Sequence, residues 1–325
     1  MTELPDTAAQ VGDLTSRAVV ITEPGGLEVL SVGDRLVREA GPGEVRIAVR
    51  AGAVNPIDLG LRERGAGDDL PPPWVPGMDA AGIVESVGDG LERIKIGEKV
   101  MAVVSPRRPE GGAQAEFVVV SAASVVAVPD GVTLQQASTL PMNGLAARLG
   151  LELLGLEPGQ TLVVSGGAGL LASYVIPLAK SQDLHVLADA KPDDQELVRG
   201  FGADVVIPRG ESFSDAVRAV APGGADALFD TAVLGHAAFP AIRDSGQVAV
   251  VRGWDDSRPE RGIEVRQVAV FSVLDRTDWL QELRELASDG RISLRVTGEY
   301  PPEHAAEAHR VTAAGGLRGR AVIVF

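Results

Sequence analysis

The chain has 325 residues, with 45 acidic against 30 basic side chains, a formal charge of −15 and no cysteine. At roughly 150 residues per domain this length predicts two domains, and 45% apolar with 23% charged residues is a folded rather than a disordered composition. The negative charge argues against nucleic acid and anionic membrane as partners, and the lack of cysteine excludes disulfides, thiolate nucleophiles and thiolate-bound zinc or iron–sulfur centres.

Residues 1–16 carry Glu3, Asp6 and Asp13 and no basic residue, so they read as a flexible arm rather than a secretory or mitochondrial leader. The longest apolar stretch, Phe117 to Val128, is broken by Ser121 and Ser124 and is too short to span a bilayer. A cytoplasmic protein is expected. From Arg17 to about Pro129 short Val/Ile runs alternate with Gly and Pro: Arg17–Ile21, Glu44–Ala51, Ala81–Val87, Lys99–Val104 and Ala115–Val120. Such spacing predicts a barrel-like β domain. The stretch Gly65–Pro76, with four prolines, reads as a loop.

After Leu140 the pattern changes to apolar runs alternating with helical stretches. The runs are Thr161–Ser165, His185–Ala190, Asp204–Ile207, Ala227–Asp230 and Gln247–Val251, with helices to Lys180 and around Asp193–Phe201 and Ser212–Val220. Repeated β–α units with short continuous apolar strands imply a parallel sheet covered on both faces. Asp278–Ser288 reads as an amphipathic helix, and Arg320–Phe325 as a strand returning to the β-rich domain.

The sharpest local signal is Gly167-x-Gly169-x-x-Ala172, which follows a strand, opens a helix and fits the dinucleotide fingerprint. Gly167 allows the tight turn, Gly169 lets the backbone approach a diphosphate, and Ala172 lets the helix lie on the sheet. The helix N-terminus adds N–H groups and a partial positive charge. Asp189 lies 22 positions after Gly167, at the end of the second strand. There it can accept from ribose hydroxyls and repel a 2′-phosphate. Lys191 and Arg209 oppose that reading, since either can pair with a 2′-phosphate. The balance leans to NAD(H) with NADP(H) still open. Pro177 stands inside the first helix, where a kink is expected.

Further segments carry a family resemblance. They are Asn55-Pro56-Ile57-Asp58, Pro76-Gly77-Met78-Asp79 to Gly88, Ile96-Gly97-Glu98-Lys99-Val100, Gly111-Gly112 to Phe117, Leu140-Pro141-Met142-Asn143-Gly144, the glycine turn, and Gly202-Ala203-Asp204. From about Arg17 to Phe325 the chain resembles the medium-chain dehydrogenase/reductase superfamily, in its zinc-free quinone oxidoreductase (zeta-crystallin-like) branch. The resemblance implies an α/β protein: a GroES-like β-rich barrel (17–138 and 277–325) and a Rossmann doubly wound parallel-sheet domain (139–276), with nicotinamide and substrate in the cleft. It implies an NAD(P)H-dependent oxidoreductase passing hydride to a quinone or an α,β-unsaturated carbonyl, a small-molecule substrate, and a homodimer joined through Gly262–Phe271. Asn55 stands where zinc-dependent members place a cysteine and Met78 where they place a histidine. The four-cysteine structural lobe is replaced by Ser105–Gly111.

On this resemblance Asn55 is the catalytic candidate, its amide donating to the substrate oxygen or holding the cofactor ribose, with a local turn role as the alternative. Asp58 is expected to cap or to pair with Arg62. Asn55, Trp74, Met78 and Asn143 are the expected substrate pocket, Trp74 having packing as its alternative. Gly166, Gly167, Gly169, Leu170, Ala172, Asp189, Lys191, Arg209, Ala232 and Gly253 are the expected cofactor contacts. His304 and His309 fall five apart and are expected at the surface or in packing. Ala146 replaces a threonine common in the family, and Tyr174 and Tyr300 are the only tyrosines. This shortage of acid–base groups keeps open a dinucleotide-binding sensor or scaffold without turnover, or non-redox chemistry in the cleft.

Overall fold

The structure is a computed structural model that describes residues 13–67, 69–254 and 260–325. It divides into two compact units, 1–142 with 274–288 and 294–325, and 143–273 with 289–293. The first boundary, expected at residue 138, therefore falls after Met142, inside one helix.

In chain order the elements are β1 (Leu14–Ile21), β2 (Leu30–Val37), β3 (Glu44–Val54), α1 (Pro56–Arg64), β4 (Asp79–Val87), β5 (Lys99–Val103), β6 (Phe117–Ser121), β7 (Val125–Ala127), α2 (Leu134–Ala137) and α3 (Pro141–Leu154). There follow β8 (Thr161–Ser165), α4 (Ala172–Ser181), β9 (His185–Ala190), α5 (Gln195–Gly200), β10 (Val205–Pro208), α6 (Phe213–Val220), β11 (Ala225–Asp230), β12 (Ile242–Val250) and β13 (Glu264–Gln267). The chain closes with α7 (Thr277–Ser288), β14 (Val296–Tyr300), α8 (Ala305–Ala314) and β15 (Arg320–Val324).

The first unit is β-rich. Its long strand β3 pairs antiparallel with β4, β6 and β15, and β4 continues through β5 to β7. Alternate Val and Ile side chains of these strands, Val45, Ile47, Val49, Val84, Val100, Val118 and Val120, fill one core. Glycines let the strands cross closely. A Cβ on Gly88 would overlap the Gly41 carbonyl oxygen, and one on Gly82 would overlap that of Ala48.

The structure differs from the sequence expectations at several points. Of the arm expected over residues 1–16, residues 1–12 lie outside the described residues, while Leu14–Ser16 already belong to β1. Ser16 is fully buried there, its hydroxyl accepting from the Phe117 N–H at 3.2 Å. β2 was not expected: it contains Gly33, Asp34 and Arg35 and buries only Arg35 and Val37, so it lacks clean alternation. β12 begins five residues before the expected Gln247, because it carries a polar Asp244-Ser245-Gly246 irregularity opposite a register shift in β11. Pro177 does not break α4, which runs through it at the cost of the hydrogen bond to the Ser173 carbonyl.

The second unit is a six-stranded, wholly parallel sheet in the order β10-β9-β8-β11-β12-β13. This is the doubly wound order, and its direction reverses between β8 and β11. In such sheets ligands bind beyond the carboxyl ends of the strands at that switch point. The ends of β8 and β11 are Ser165 and Asp230.

The close crossing at Gly88 is testable. Gly88→Ala should cost about 2 kcal/mol or more in urea unfolding, since backbone must move. Gly223→Ala, which meets nothing within 4 Å, should stay within about 0.5 kcal/mol of the parent.

Candidate functional site

The glycine turn after β8 is sewn to the end of β9. The Gly167 N–H donates to the Asp189 carbonyl (3.1 Å) and to the Asp189 carboxylate Oδ1 (3.3 Å), and the Gly166 N–H donates to that same oxygen. A Cβ on Gly167 would lie 2.7 Å from the Asp189 carbonyl oxygen, so only glycine lets the turn lie this close. A Cβ on Gly169 would meet only the Gly166 carbonyl, at 3.1 Å, which leaves that side of the turn open to a ligand. Leu170 and Ala172 are buried and seat the start of α4. The glycine N–H groups are spent inside the turn, the Gly169 N–H on the Gly166 carbonyl (2.8 Å), so it is the N-terminus of α4 just beyond them whose geometry suits a diphosphate. The residues present therefore fit a dinucleotide.

Asp189 is 3% exposed. Burial raises its carboxyl above the ordinary carboxylate range, against the opposing pull of Arg209 and the two glycine N–H groups. Arg209 Nε stands 3.9 Å from its Oδ2, and Lys191 is exposed. The carboxylate thus uses one oxygen inside the turn and faces a cation with the other.

The loop after β11 is pinned just as firmly, and the sequence reading missed the residues that do it. The Ser165 hydroxyl donates to Asp230 Oδ1 (2.6 Å) and accepts from the Ala232 N–H (3.0 Å). Asp230 Oδ2 accepts from the Gly235 N–H (2.9 Å), and the Thr231 hydroxyl donates to the Ser165 carbonyl (2.5 Å). Ala232 is half-buried, and Gly253, at φ +70°, lies in the stretch just after β12. The available signal was positional: Ser165 and Asp230 are the last polar residues of the two switch-point strands.

In the first unit the contacts of Asn55, expected as catalytic or as a local turn residue, are with neighbouring side chains. Asn55 is fully buried. Its Nδ2 donates to Asp79 Oδ2 (2.6 Å) and its Oδ1 accepts from Arg320 Nε (2.7 Å), so both ends of the amide are engaged. Asp79 Oδ1 accepts from the Met142 N–H (2.6 Å). Asp58 pairs not with Arg62 but with backbone: its carboxylate accepts from the N–H groups of Asn55 (2.8 Å) and Gly77 (2.9 Å), closing a capping box on α1. Arg62 instead donates to the Gly25 carbonyl and to Glu63. Trp74, expected at the substrate mouth, is 6% exposed, packs on Ile21 and Leu61, and donates Nε1–H to the Leu70 carbonyl. Met78 and Asn143 are also buried. His309 is buried too, 3.4 Å from the Gln114 side-chain oxygen, and burial with the nearby Arg62 pushes it down to about 3.

The donor set does not fit zinc. The chain has no cysteine, Met78 offers a thioether, and Asn55 has both amide ends committed. Among the described residues no group of three or more His, Asp or Glu is placed to hold a metal.

Burial pushes Asp79 up to about 7 and Asp58 to about 6, the donors opposing it and Asp58 adding to the effect on Asp79. Unfolded, the Asp79 carboxyl ionises near 3.8. The folded state therefore holds more protons across the window from that value to about 7, and stability falls as pH rises through it. The stability of the parent relative to Asp79→Asn should accordingly drop by on the order of 2 kcal/mol between pH 5 and 8 in urea titrations. A difference independent of pH would contradict this.

Residues 41–130 match the alcohol dehydrogenase GroES-like domain and residues 201–323 the zinc-binding dehydrogenase family. The NADPH-dependent alkenal/one oxidoreductase of Arabidopsis thaliana chloroplasts is 30% identical over 94% of this chain and 79% of its own length. The chloroplast envelope quinone oxidoreductase homolog of the same plant is 26% identical over 86% of this chain and 89% of its own. A mycobacterial protein solved in complex with NADPH superposes with a TM-score of 0.82 at 26% identity, covering 95% of this chain and 100% of that one. The GroES-like unit, the doubly wound unit with its glycine turn, and these relatives together place the chain in the medium-chain dehydrogenase/reductase superfamily.

Proposed function

We propose that the protein is a zinc-independent NAD(P)H-dependent reductase of a small quinone or α,β-unsaturated carbonyl. The observation that carries this reading is the glycine turn at the start of α4, held to Asp189 by the Gly166 and Gly167 N–H groups beside the switch point, in a chain lacking a zinc donor set. When bound, the cofactor supplies a hydride from its dihydronicotinamide ring. The chain's own part is to hold it: the turn of Gly166, Gly167 and Gly169 lets the diphosphate approach the start of α4 at Leu170 and Ala172, Asp189, Lys191 and Arg209 take the adenosine ribose, and Asn143, Ala232 and Gly253 the nicotinamide half. An activated acceptor takes hydride at its electrophilic carbon, and its other new hydrogen comes from water, so no buried acid is required.

In the first unit, the role for Asn55 and Met78 is to shape the acceptor side from within. Asn55 acts through Arg320 and Asp79 rather than by touching substrate, and Trp74 is assigned to packing. The same inward commitment of Asn55 favours a second reading, a dinucleotide-binding sensor without turnover. The edge strand β13 is the surface assigned to a homodimer. No helix among the described residues is long and apolar enough to cross a membrane, and a cytoplasmic location is part of the proposal.

Calorimetric titration with NADH and NADPH, followed by cofactor absorbance with a panel of quinones and enones under a zinc chelator, tests the reading. Binding with turnover is expected. Binding without turnover would favour the sensor, and no binding would end both. For cofactor choice, Asp189→Ser should raise the NADPH-to-NADH affinity ratio about tenfold, because a like charge leaves the 2′-phosphate position. An unchanged ratio would remove Asp189 from that role.

A further inference from the structure

Four non-glycine residues among those described have positive φ: Asp183, Val233, Ser245 and Arg261. Only Val233, at φ +60°, is β-branched, the class for which this backbone is most costly. It persists because its neighbours are over-determined. Thr231 and Ala232 are bonded to Ser165 on one side, and Gly235 is bonded to Asp230 on the other. The result is an apolar side chain 40% exposed at the switch point rather than turned into the core. Val233 also reaches the next loop, since a Cβ on Gly253 would lie 2.7 Å from its Cγ1.

Position gives this outlier a ligand. Gly166 lies between the two halves of the sheet: Asp189 of β9 bonds its N–H, and a Cβ on it would lie 2.9 Å from the Thr231 hydroxyl. With the diphosphate at the glycine turn and the adenosine ribose at Asp189, the other half of the dinucleotide passes the loops after β11 and β12, where Val233 meets Gly253. An isopropyl group offers no hydrogen bond. It favours an uncharged ring over a cationic one, which loses hydration beside an apolar surface. Dihydronicotinamide is uncharged and oxidised nicotinamide carries a positive charge.

We propose that Val233 is a specificity-determining residue: an apolar shelf, held in place by the Ser165–Asp230 clamp, that favours the reduced over the oxidised dinucleotide. This rests on the reading of the protein as an NAD(P)H-dependent reductase. A reductase gains from such a shelf because it takes up the reduced form and releases the oxidised one.

The test compares Val233→Gly and Val233→Ala with the parent, using calorimetric affinities for NADH, NADPH, NAD+ and NADP+ and thermal melting of the unliganded protein. Both variants should bind the preferred reduced dinucleotide about fivefold more weakly, with oxidised binding within twofold of the parent. Val233→Gly, which relieves the backbone, should melt about 2 °C above Val233→Ala, so that affinity and stability separate. Reduced-form affinity unchanged in both variants, or an equal loss for both oxidation states, would overturn the shelf while leaving the reductase reading standing. A parent protein that binds neither dinucleotide would overturn both.

Discussion

Buried carboxylates that accept backbone N–H groups hold the loops of the candidate site. Asp189 holds the glycine turn, Asp230 with Ser165 holds the loop after β11, and Asp79 and Asp58 hold the Met142, Asn55 and Gly77 backbone in the β-rich unit. Each is almost wholly removed from water, so each would be costly without those donors. The carboxylates thereby fix turns and helix starts, such as the glycine turn, the N-cap Asn55 and the first turn of α3. The arrangement also sets a tension, since Asp189 places negative charge beside a helix N-terminus suited to a diphosphate. The N-terminus of α4, the glycine-turn N–H groups and Arg209 offset it locally, in a chain whose overall charge of −15 works the other way.

Asn55 shows why the β-rich unit uses an amide at its centre. Between a carboxylate that needs a donor and a guanidinium that needs an acceptor, only a group with both ends polar satisfies the chain Asp79–Asn55–Arg320. A leucine there would take this partner from the buried Asp79 and the half-buried Arg320. The consequence for chemistry is that Asp79, Asn55 and Arg320 are bonded to one another, and Tyr174 is buried within α4. A reaction carried by this protein suits an acceptor that is already electrophilic and takes its proton from solvent.

Much of this was legible in the sequence where a physical requirement leaves a residue signature. The parallel strands read as short apolar runs, and the glycine turn read as Gly167-x-Gly169-x-x-Ala172 because only glycine tolerates the contact with the Asp189 carbonyl. Asp189 was placed by its spacing. Less legible were elements whose stability comes from partners distant in sequence. β2 carries a polar face and pairs with β1, and the start of β1 was lost to the arm because Ser16 gives no apolar signal. For Asn55 the sequence left a catalytic and a local turn role open, since Asp79 and Arg320 become its partners only in the folded chain. Ser165 and Asp230 had a positional signal, the ends of the switch-point strands, that carried no motif.

The central claim is that hydride passes directly from a bound dinucleotide to an activated acceptor without a metal. The most direct measurement follows deuterium from NADH and NADPH labelled at the reactive ring carbon into an enone, under a zinc chelator, with mass spectrometry of the product. The account predicts one deuterium from one face of the cofactor on the carbon β to the carbonyl, and solvent hydrogen on the α carbon. Product free of deuterium, or turnover that appears only when zinc is restored, would contradict it.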